Sequence, residues 1–157
     1  MRLWMALYAM IWIAFLEFLL AMTPAADPTL LLYGHGTLGI AIVGIAFYNF
    51  NGLRQTRAPG RVKRVAKSTL QLSVLMGVLG ALLFADVGAD WIIPGINLSV
   101  YALILFFHVV NAFAVITQSA AVAIAHDMWE DREFEKETEP GAIPELPRPA
   151  AASPPRA

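Results

Sequence analysis

Residues 29–50 read TLLLYGHGTLGIAIVGIAFYNF, an apolar run with no formal charge and a single histidine, His35, set between glycines. A helix that crosses a bilayer needs about 20 mostly apolar residues, and this run has that length. Backbone N–H and C=O groups in hydrocarbon must be satisfied within their own segment, so the stretch reads as a helix. Three further runs of the same kind surround it: about Leu3 to Met22, interrupted only by Glu17; about Ser68 to Ala85, uncharged; and about Leu98 to His126, the longest. Pro24 and Pro28, Ala58-Pro59-Gly60, and Pro94-Gly95 punctuate the gaps. The first run follows Arg2 and invites comparison with a secretory leader. It is about twice as long as a leader's apolar core and carries an acid, so it is read as a retained helix.

Composition points the same way. Of 157 residues, 58% are hydrophobic and 15% charged, with a mean hydropathy of +0.61. A soluble domain is about half apolar and roughly a quarter charged, and a small one must still cover its outside with polar groups. The expected fold is therefore all-α, an integral membrane four-helix bundle over residues 1–128, with spans at about 3–22, 29–50, 68–85 and 98–126. The remainder, 129–157, is acidic and then rich in proline and alanine, without apolar periodicity, and is expected to be disordered. A formal net charge of −1 leaves no basic field for nucleic acid. The absence of cysteine removes disulfides, thiolate metal sites, iron–sulfur clusters and thiol nucleophiles.

Basic residues in short loops set orientation. The loop Asn51 to Lys67 holds Arg54, Arg57, Arg61, Lys63, Arg64 and Lys67 and no acid, whereas the flanking loops hold Asp27, Asp86 and Asp90 and no base. The basic loop is expected on the cytoplasmic side, and with it both termini and the acidic tail. The implied setting is the cell (plasma) membrane, as a multi-pass protein.

Few ionisable groups lie inside the spans: Glu17, His35, His108 and, at the inner end of the fourth, His126. Such groups are costly in lipid and suspect as functional. His35 lies about seven residues into the second helix, roughly 10 Å deep, and His108 lies roughly 15 Å into the fourth at 1.5 Å per residue. Both helices descend from the outer side, so two imidazoles arrive at comparable depth. A bis-histidine haem needs that placement, one axial nitrogen from each side of the macrocycle. Gly34, Gly36, Gly39 and Gly44 allow close approach of a flat ligand or of another helix. Below His108 one face carries Ala112, Val115, Ser119 and Val122, and Asn111 is placed to hydrogen-bond a histidine or a haem substituent. Ser73, Gly77 and Ala81 form a small-residue strip on the third span. Glu17, at a similar level, reads as a proton acceptor, a partner for a histidine, or a neutral acid bonded to a neighbouring helix. His126 falls on the same face as His108, about 27 Å lower. With Asp127 and Trp129 beside it, it reads as an interfacial residue, while Trp91, Tyr101 and Trp129 read as belt anchors. Phosphate loops, HExxH and GxSxG are absent.

The layout resembles one four-helix unit of the haem A synthase family. The resemblance rests on Tyr33-Gly34-His35-Gly36-Thr37-Leu38-Gly39, the basic loop through Lys67, Leu70-Gln71-Leu72 with Gly77 and Gly80, and Phe106-Phe107-His108-Val109-Val110-Asn111-Ala112, and covers roughly residues 5–128. It implies haem b, or haem O and haem A as substrate and product, held by His35 and His108 as iron ligands with Gly39, Asn111 and Ala112 around the ring. It implies oxidation of haem O to haem A. Family members commonly fuse two such bundles, whereas this chain is one, which implies a homo-oligomer. They carry Glu three residues before the second-helix His and Arg directly after it; here these are Leu32 and Gly36, leaving Glu17 as the candidate catalytic acid. Two readings stand beside it: a b-type cytochrome or small respiratory-complex subunit exchanging electrons with quinol, and a haem-free structural subunit.

Overall fold

The computed structural model describes residues 2–23 and 28–138. Four helices carry the chain: α1 (Leu3–Met22), α2 (Pro28–Gln55), α3 (Gly60–Phe84) and α4 (Val100–Thr138). A two-residue antiparallel pair, β1 (Ile92–Ile93) and β2 (Leu98–Ser99), joins α3 to α4. All four helices are long and apolar enough to cross a membrane.

Helix starts and stops follow local chemistry. Pro28 opens α2, where a missing N–H is tolerated and its fixed φ suits the first turn. At the end of α1, the Thr23 hydroxyl donates to the Leu19 carbonyl at 2.8 Å, occupying one of the carbonyls a helix end leaves over. The connection between α2 and α3 is only residues 56–59. Most of the basic stretch expected as loop is therefore helical: Arg54 lies in the last turn of α2, and Arg61, Lys63, Arg64 and Lys67 lie in α3. Arg and Lys are good helix formers, so the helices continue beyond their apolar portions.

The expectation of disorder from residue 129 is corrected over its first part, since α4 runs without a break to Thr138. The added segment is rich in Glu, Arg and Lys, which favour helix. Residues 139–157 lie outside the described residues.

Each helix packs against its sequence neighbours, and α1 packs against α4 to close the ring, so α2 and α4 face each other diagonally. The core fills the half of the bundle holding the 56–59 turn. There Leu7, Leu53, Val62, Ala66, Val122 and Ala123 pack together, and above them Met10, Ala14, Ile42, Ala46, Met76 and Val115 form a second layer. Three buried polar side chains in this half are tied to backbone: Asn49 donates to the Ala6 carbonyl at 3.3 Å, Ser73 to Thr69 at 2.9 Å and Ser119 to Val115 at 2.7 Å. The outside is covered by apolar side chains such as Trp12, Leu30, Ile40 and Phe47, which would be costly in water and is suited to lipid.

Candidate functional site

Past the layer of Ala14, Ile42 and Val115 the packing stops, and a cavity of about 470 Å³ opens between all four helices. Its size lies within the range of small-molecule and cofactor sites. Its wall is mostly apolar, and three groups stand out from it: Glu17 from α1, His35 from α2 and His108 from α4. The cavity reaches the outside of the bundle where Tyr33, Ile40 and Phe84, all exposed, belong to its lining.

The two imidazoles stand with ring centres 6.1 Å apart and planes inclined by 61°. They come from the diagonal helices, so they meet across the bundle axis. Glu17 approaches from the side, its Oε1 3.1 Å from His35 Nδ1. The contact is off the line of an ideal hydrogen bond, leaving His35 Nδ1, Glu17 Oε2 and His108 Nδ1 all buried without one. The Met76 backbone on α3 gives His108 its other polar neighbour. Buried polar atoms normally find a partner, and three without one lie around this single cavity.

Glycine makes this arrangement possible at one point, Gly80, while Gly39 only lies against it. A methyl group on Gly80 would stand 3.3 Å from His108 Cε1, and one on Gly39 3.6 Å from Glu17 Oε1. A methyl group on either of the other glycines flanking His35, Gly34 and Gly36, would meet nothing within 4 Å, so close packing within the chain does not require them.

The separation suits a metal held between the rings. Two metal–nitrogen bonds of about 2 Å, plus about 1.1 Å from each nitrogen to its ring centre, give roughly 6 Å between centres. His35 with Nδ1 turned to Glu17 leaves Nε2 for the metal, the common pattern in which a carboxylate fixes the orientation of a ligating imidazole. The residues present thus fit a group with two axial positions and an apolar rim.

The sequence puts Glu17, His35 and His108 at one level, and the resemblance adds Gly39 and Ala112 around the ring; all five line this cavity. Asn111 is a correction. Its amide donates to the Leu72 carbonyl at 2.8 Å, tying α4 to α3, and it does not line the cavity. His126, expected at the membrane interface, is 3% exposed and so buried within the protein. Met76 was not anticipated. Its spacing with Gly80 and Phe84, i, i+4 and i+8, puts the three on one helical stripe, the one signal that would have found it.

No protein-family model, curated protein or solved structure matches the chain.

Proposed function

We propose that the chain is a membrane haem protein of respiratory haem chemistry, in which His35 and His108 would hold the haem iron. The observation that carries this reading is the pair of imidazoles from opposite helices with ring centres 6.1 Å apart in an apolar cavity. Gly39, Gly80 and Ala112 would flank the macrocycle, and Ala14, Ile42 and Val115 would form its floor. When bound, haem supplies one-electron chemistry and visible absorption. The protein would supply the two imidazoles that hold it, an apolar wall and, through Glu17, an oriented His35. Basic residues around the 56–59 turn support a cytoplasmic side for that end, and for both termini with it, in a plasma-membrane protein. Cavity and histidines then lie toward the outer face.

Glu17 favours an enzymatic form of this reading, the oxidation of haem O to haem A implied by the resemblance. The family's acid is missing at Leu32, yet a carboxylate from α1 reaches His35 within 3.1 Å. Among the described residues it is the one carboxylate lining the cavity, placed to accept or hold a proton beside bound haem. A b-type cytochrome serving quinol would need the same ligands and no conversion.

A reduced-minus-oxidised spectrum of the purified chain tests the proposal first: b-type bands are expected, and their absence after haem supplementation overturns it. Co-expression with a haem O source then separates the two forms. Haem A in the membrane supports the enzyme; a redox-active haem without conversion supports the cytochrome.

A further inference from the structure

At the opposite end of α4 from His108, a second polar group is gathered. His126 Nδ1 lies 3.8 Å from Asp127 Oδ1 and 3.7 Å from Glu130 Oε2, and the three atoms lie within 4.8 Å of one another. His126 is 3% exposed, and Nδ1 has no hydrogen-bond partner. The two carboxylates are about two-fifths exposed. A buried imidazole nitrogen without a partner, aimed at two acids at the bundle rim, is an unfinished arrangement unless a cation completes it.

We infer that His126, Asp127 and Glu130 form a binding site for one divalent transition-metal ion of the zinc class. Helix geometry places His126 and Glu130 on one face, four residues apart, and Asp127 reaches back from the adjacent position. Its second oxygen, Oδ2, accepts a hydrogen bond from the Tyr8 hydroxyl of α1, which holds Oδ1 toward the imidazole. Trp129 packs edge-on against the His126 ring at 5.7 Å and limits its rotation. Ligands at about 2.0–2.1 Å around tetrahedral zinc are roughly 3.4 Å apart, so the two histidine–carboxylate separations need to shrink by only a few tenths of an ångström. Calcium and magnesium take oxygen ligands, and an imidazole nitrogen in the set selects against them. The site supplies three protein ligands and leaves a fourth position toward solvent. It lies five helical turns from His108, so it is independent of the haem reading.

The test titrates untagged full-length protein in detergent with Co²⁺ and reads the visible bands of tetrahedral cobalt. One Co²⁺ per chain, displaced by Zn²⁺, is expected. Glu130→Gln, at a half-exposed position, should weaken binding at least tenfold, and His126→Gln should abolish it, while a His35→Ala/His108→Ala double variant binds as the parent does. No tetrahedral bands in the parent protein, bands unchanged by Glu130→Gln, or bands lost with the cavity histidines would each overturn the assignment.

Discussion

At the scale of single residues, the site depends on three side chains and one glycine. His35→Ala and His108→Ala should each abolish the bis-histidine low-spin spectrum of the haem-loaded protein, since no third imidazole lines the cavity among the described residues. An unchanged spectrum in either variant would break the ligand assignment. Glu17→Gln should retain haem but raise its midpoint potential by tens of millivolts, because a carboxylate beside His35 favours the ferric state; about 59 mV corresponds to a tenfold change in relative affinity for a one-electron couple. A redox titration of the two proteins reads this directly, and identical potentials would exclude the contact. Gly80→Val should displace His108, as a single methyl already stands 3.3 Å from its ring, and the low-spin signal should weaken or turn high-spin. Depth along a helix was legible in the sequence, because rise per residue is fixed; this placed Glu17, His35 and His108 at one level. Rotation was less so. Asn111, three residues after His108, turns toward α3 and the Leu72 carbonyl, and nothing in one sequence says which neighbour a polar side chain will meet.

At the scale of elements, the apolar stretches identified the helices but not their ends. Hydropathy records where lipid is tolerated, while a helix continues as long as its residues favour it, so α3 begins at Gly60 rather than near Ser68 and α4 continues to Thr138. The short β1–β2 pair was invisible for a related reason: two residues per strand give no alternation to read. Its geometry depends on the turn before it. Gly88 has φ +79°, and a methyl there would stand 2.7 Å from Val100 Cβ. The Gly88 carbonyl accepts from the Trp91 and Tyr101 N–H groups at 3.2 and 3.1 Å, which pins the loop to the start of α4. Gly88→Ala should therefore cost about 1–3 kcal/mol, seen as a lowered thermal midpoint in detergent, whereas Gly95→Ala, with a similar φ but open space, should cost less.

For the whole molecule, the question is direction across the bilayer. The sequence has no cysteine, so a single introduced one reports its side without a background. Arg57→Cys in the 56–59 turn should resist an impermeant thiol reagent in intact cells and react after lysis; Asp90→Cys in the loop between α3 and α4 should react in intact cells. The reverse pattern would invert the assignment and move the histidine cavity to the cytoplasmic half. Continuity of α4 adds a mechanical consequence. At 1.5 Å per residue its 39 residues extend about 58 Å, nearly twice the hydrocarbon thickness of a bilayer. Past the Tyr8–Asp127 hydrogen bond and the packed Trp129, the residues beyond Glu130 form an acidic helical arm about 12 Å long, so its tip is carried at a set distance and bearing from the bundle, where a slack tether would let it wander.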